Sequence, residues 1–370
     1  MPSIEEVKKR SEDFRRFLFG GEIERRHIIL DPSSYAAEFA GKSGGYATFW
    51  DNLKFKEAYP NDSFVTNFIF PHDVFEELRW SRRLVEDNGA EKFYEERLKT
   101  PGGEKRRVIA EKRGTTPWLI ESAVKTKDDF SLLHYYADVV KANARRYADA
   151  LSKEYLPAKE RGHLVGSVVL IPFECWYLID YADMPLLYYD FPDEYLMAMK
   201  SIHEANLMVM GHLKELGCDM IGMGSAGLEL LSPRIFDEAI IPFARETTDY
   251  ARTLGLITAY HICGFSRELV TSGKINSIKP TWFETFSTAP CGNHRSLSES
   301  LAHLDPQIIS KGNLSLELLR NGTPAEIRVA TEGIIRESNG RRHIIGQADG
   351  TILSGTPPDN IRAFLEASST

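Results

Sequence analysis

No run of about 18 apolar residues occurs anywhere in this sequence, which excludes a transmembrane helix. The first residues are charged and helical (Glu5-Glu6-Val7-Lys8-Lys9-Arg10) and lack the apolar core of a secretory signal. Cysteine is scarce: Cys175, Cys218, Cys263 and Cys291 are the four in 370 residues. That is too few for a disulfide framework, so the expected setting is the reducing cytoplasm, with thiols as core filler or metal ligands. Basic excess is lacking as well. With 53 acidic residues against 45 basic ones, the net charge of −8 argues for a soluble chain and against a nucleic-acid partner. No internal repeat or low-complexity tract is present.

What is present is a globular composition, 42% hydrophobic, rich enough to bury a large core. Residues 1–19 form an amphipathic helix pattern stopped by Gly20-Gly21. Apolar runs then alternate with helical patterns: 27–30, 64–70, 164–173, 220–223, 256–260, 282–286, 308–311 and 343–346. Leu164–Phe173 is apolar almost throughout, as expected of a strand buried on both faces. Between 86 and 129 the chain is polar and carries Thr100-Pro101-Gly102-Gly103, which predicts an irregular insertion, a short hairpin or lid. Eight strand–helix units favour a closed parallel barrel over an open sheet. The expectation is an α/β fold, a single (β/α)8 TIM-type barrel over 1–370, with an N-terminal helical extension and that insertion.

In such barrels the chemistry lies past the C-terminal ends of the strands. There the sequence places Asp31, His72-Asp73, Glu174 with Cys175, Gly224–Gly227 with Glu229, His261 with Cys263, Glu284 with Cys291, Asn313, and Gln347 with Asp349. Carboxylates, imidazoles and thiols converge with hardly a Lys or Arg, which suits a metal cation better than a phosphate. His261-x-Cys263 is the sharpest feature. Residues two apart on a strand point the same way, so imidazole and thiol can meet on one ion, and zinc takes this nitrogen–sulfur mixture. The alternative is that Cys263 packs as a small hydrophobe while His261 hydrogen-bonds a neighbour.

At these residues the chain resembles the uroporphyrinogen decarboxylase superfamily, and within it the corrinoid-dependent, methylcobamide methyltransferase branch. The resemblance rests on ordered blocks at 100–102 (TPG), 118–133, 218–243, 261–264 (HICG), 311–323 and 356–364. Superfamily decarboxylases carry an arginine-containing substrate loop of the Met-Arg-Gln-Ala-Gly-Arg kind; here Asp31-Pro32-Ser33-Ser34-Tyr35 stands in that region. The methyltransferase branch, by resemblance, binds zinc through a His-x-Cys pair and a distant C-terminal Cys. This chain has Gln347-Ala348-Asp349-Gly350 where that Cys is expected. The metal set implied is therefore His261 and Cys263, with Cys291, Glu284 or Asp349 as third ligand.

The activity implied is transfer of a methyl group between a methylated small molecule, an aryl methyl ether being one candidate, and the corrinoid of a partner protein. Glu174 and Glu229 are the candidate catalytic proton donors, although Glu229 also suits the positive end of the helix after Ser232-Pro233. Phe173, Trp176, Tyr177, Phe283 and Phe286 line a substrate pocket or belong to the barrel core. Expected partners are the corrinoid protein and a second copy of the chain in a homodimer, with no nucleic acid or membrane. Two other readings stand beside this one. The first is a metal-free decarboxylase, against which the missing basic loop counts, because substrate carboxylates need Arg partners. The second is a non-catalytic barrel serving as a binding subunit.

Overall fold

Near-continuous runs of Ile, Val, Leu and Met make poor half-exposed strands but good buried ones, and they form the centre of the molecule. The structure, a computed structural model, describes residues 3–22, 24–42, 47–67, 69–112, 117–168, 175, 177–348 and 350–369. In chain order the strands are β1 (His27–Ile29), β2 (Val65–Asn67), β3 (Ser81–Asp87), β4 (Glu91–Thr100), β5 (Gly103–Lys112), β6 (Trp118–Glu121), β7 (Val165–Val168), β8 (Met220–Ala226), β9 (Ile257–Cys263), β10 (Trp282–Glu284), β11 (Ile309–Leu314) and β12 (His343–Gln347). Eight of them make one parallel sheet in the order β1-β12-β11-β10-β9-β8-β7-β2. That order results when successive β/α units wind around a common axis. Each of the eight predicted strands is present, although residues 169–173 of the expected Leu164–Phe173 run lie outside the described residues.

The sheet curls until β1 and β2 meet, and side-chain and backbone bonds make that join. Ser63 Oγ donates to Leu30 O (2.7 Å) and accepts from Leu30 N–H (3.1 Å). The Asp62 amide reaches Ile28 O at 2.6 Å. Below the sheet lies the helix Ile4–Leu18, started by a reciprocal Ser3–Glu6 capping box. Its Phe14, Phe17 and Leu18 pack on Ile29, Phe64, Leu164, Met220, Ile257, Trp282, Ile309 and Ile344. Most of these begin or lead into strands, so the helix plugs the N-terminal end of the barrel and leaves chemistry to the other end.

The insertion starts earlier than expected, at Ser81, and is regular rather than irregular: β3-β4-β5-β6 is an antiparallel meander. It leaves the barrel after β2 and so stands at the C-terminal end of the strands. Arg107 fastens it there. Its guanidinium pairs with buried Glu96 at 2.7 Å, bonds the Tyr177 carbonyl and lies 4.2 Å over the Trp80 ring. No helix among the described residues is long and apolar enough to cross a membrane.

Candidate functional site

Strand register builds the site. Gly224, His261, Glu284 and Lys311 are direct neighbours across β8, β9, β10 and β11. Paired residues of parallel strands share a face, so these positions form one row, and all four residues border a cavity of about 370 Å³ inside the barrel. Glu284 accepts from His261 Nδ1 at 2.9 Å, while its other oxygen takes Lys311 Nζ at 3.0 Å and Trp282 Nε1 at 3.3 Å. His261 Nε2 lies 3.0 Å from Cys263 Sγ. The row thus runs from ammonium to carboxylate to imidazole to thiol.

Charge follows from this geometry. Burial alone would raise the Glu284 carboxyl, but Lys311 and His261 outweigh it and push its pKa down to about 2. Burial also disfavours a charged imidazole, yet Cys263 and Glu284 together raise His261 well above the usual value. Lys311 is 3% exposed, and a buried ammonium needs such a carboxylate partner. Small residues give the row its space. A Cβ on Gly346 would come within 2.8 Å of Lys311 Cε, and one on Gly224 would touch the His261 side chain.

Past Cys263 the chain turns through Gly264 at φ +83°, a left-handed conformation that suits glycine. Glu229 braces this turn: its Oε2 accepts from Phe265 N–H at 2.8 Å, and its Oε1 lies where a Gly264 Cβ would stand, at 1.8 Å. A second brace comes from the loop between β10 and the helix Leu297–His303. His294 bonds Ser266 (2.8 Å) and Ser300 (2.6 Å), and Asn293 accepts from Arg267 N–H (3.0 Å). Cys291 is exposed on that same loop.

The structure therefore brings His261, Cys263 and Glu284 into contact, sets Glu229 behind the turn and places Cys291 on the stapled loop. Glu174 and Asp349, like Phe173 and Trp176, lie outside the described residues. Phe283 and Phe286 are fully buried, with rings 5.2 Å apart, and belong to the core. Tyr177, nearly buried, packs against Phe70, His72 and Tyr136. Sequence reasoning missed Lys311. The available signal was a lysine inside the otherwise small and apolar run Ile309-Ser310-Lys311-Gly312, where only a paired charge is tolerated.

Fold and site together define a parallel α/β barrel with a polar row toward the C-terminal end of its central strands. Residues 108–370 match the family described as uroporphyrinogen decarboxylase (URO-D), and the chain belongs to that family. No curated protein matches the sequence. Among solved structures, the fold is similar to a methyltransferase from Methanosarcina mazei, with TM-score 0.61 and 12% identity over 98% of each chain. A B12-independent methionine synthase from Shewanella sp. W3-18-1 gives TM-score 0.39 at 12% identity, over 74% of this chain and 72% of that one. A D-psicose 3-epimerase gives 0.37 at 10% identity, over 64% and 90%. The family match bears out the superfamily resemblance, and the first likeness bears out the barrel fold.

Proposed function

We propose that this protein is a zinc-dependent methyltransferase that moves a methyl group between a methylated small molecule and the corrinoid of a partner protein. The observation that carries this reading is the His261 Nε2–Cys263 Sγ pair, 3.0 Å apart, with the far nitrogen of the ring fixed by Glu284. A nitrogen and a sulfur donor suit zinc, and a metal-ligating histidine ordinarily gives its other N–H to a carboxylate. Glu284 sits on the Nδ1 side, away from the donor pair, so its fitting role is to orient the ring.

Among the described residues no three His, Cys, Asp or Glu side chains surround a common point. The third donor in this reading is Cys291, whose loop is stapled to the segment after Cys263, or Asp349, which follows β12. Bound zinc would supply Lewis acidity, deprotonating a thiol or turning an ether oxygen into a better leaving group. The chain's own residues do the rest. Lys311 keeps Glu284 anionic, Glu284 keeps Nδ1 protonated, and Nε2 is left to face Cys263. Glu229 holds the turn that carries Cys263, and Glu174 is the proton donor in this scheme. The cavity receives the small molecule. Its described lining holds Lys56 and Lys311 but no arginine, which disfavours a substrate with several carboxylates.

Metal analysis tests the proposal. About one zinc per chain is expected, lost in His261→Ala and Cys263→Ala. Of Cys291→Ala and Asp349→Ala, the one that lowers zinc affinity identifies the third ligand. Zinc-free protein that decarboxylates a porphyrinogen, or full methyl transfer by Cys263→Ala, would overturn the reading.

A further inference from the structure

Strand β3 is the outer edge of the insert sheet, and every residue from Ser81 to Asp87 is exposed. Such an edge offers backbone N–H and C=O groups to another strand. Its sequence, Ser81-Arg82-Arg83-Leu84-Val85-Glu86-Asp87, is its own charge complement, because reversing it sets acids on bases. Two copies run antiparallel about an axis between Leu84 and Val85 would oppose Arg83 to Glu86 and Arg82 to Asp87. Leu84 and Val85, each about half exposed, would cover one another at the centre.

This register has a geometric requirement. Residues directly opposed in an antiparallel pair lie on the same face of the sheet. In a regular strand Arg83 and Glu86, three positions apart, would point to opposite faces. The bulge between Leu84 and Glu86 removes that conflict. Arg83 stands opposite Glu95 and Glu86 opposite Phe93, two apart on β4, so both face the same way. Arg82 and Asp87, opposite Glu96 and Lys92, share the other face. The Arg83 side chain is 72% exposed, and its partner Glu95 also holds Arg97 and Arg106, so Arg83 is able to turn outward.

We propose that β3 is a homodimer interface, joining the insert sheets of two copies into one continuous antiparallel sheet. Charged residues and bulges ordinarily guard an edge against indiscriminate pairing. Here the guard rejects neutral and like-charged strands and fits a second copy.

A charge swap tests this by sedimentation velocity over a range of protein concentrations. The wild-type chain is expected to dimerise, more weakly as salt rises. Arg83→Glu and Glu86→Arg, each alone, set like charges together twice in the dimer and are expected to weaken association about tenfold or more. The double variant Arg83→Glu/Glu86→Arg restores opposite charges and is expected to recover the dimer, which also controls for folding. A chain that stays monomeric at high concentration, a dimer untouched by the single variants, or a double variant no better than the singles would each overturn the proposal.

Discussion

Glu284 is the residue on which the site's electrostatics turn, since it touches both Lys311 and His261. A carboxyl held at about 2 instead of the ordinary 4.5 favours the folded state whenever it is ionised. That contribution, on the order of 3 kcal/mol, is fully present above the unfolded carboxylate value and is lost as pH falls from about 4.5 toward 2. Denaturant unfolding of wild type between pH 5 and 2 is expected to show this loss, and Glu284→Gln to flatten it. Equal slopes in the two proteins would show that the pairing does not contribute. Lys311 marks the limit of residue-scale reading. One sequence shows that a lysine is buried in a strand, but not which strand runs beside it. The register that sets it next to Glu284 is a long-range fact.

Among the elements, the turn after β9 is tightly determined. It needs glycine twice over, for its positive φ and for the Glu229 carboxylate that fills the space of a Cβ. Gly264→Ala is expected to cost about 1–3 kcal/mol from backbone strain alone, with further loss from displaced Glu229. A thermal melt reads the stability, and zinc binding reads whether Cys263 has moved. The barrel strands were legible because burial on both faces leaves long apolar runs. The insert sheet was not, for an opposite physical reason. Its strands satisfy their side chains with ion pairs, Glu95 with Arg83, Arg97 and Arg106, and Glu96 with Arg82 and Arg107. The alternation of apolar and polar residues that signals a strand is therefore blurred, and the segment reads as polar loop. His261 and Cys263 were legible because a two-residue spacing on a strand needs no tertiary information. The brace formed by Glu229 was not, because it depends on a turn that meets it from another strand.

Across the whole molecule, the join between β1 and β2 is held differently from the rest of the barrel. Elsewhere neighbouring strands share several ladder bonds; here the Ser63 hydroxyl supplies both a donor and an acceptor to Leu30. Ser63→Ala leaves Leu30 N–H and C=O without those partners and is expected to cost about 1–3 kcal/mol. Hydrogen exchange at Leu30 should quicken in that variant while β9 to β11 remain protected; unchanged exchange at Leu30 would mean that the join is held by other contacts.

The row Gly224–His261–Glu284–Lys311 ties this architecture to the chemistry in a further way. Because neighbouring strands alternate their side chains with a period of two, slipping any one of β9, β10 or β11 by a single residue would turn its member of the row away from the others. The alignment that closes the hydrophobic core and the alignment that assembles the site are thus one and the same. A chain that has found its native strand pairing has already assembled its polar row, and no later rearrangement is needed to bring the four positions together.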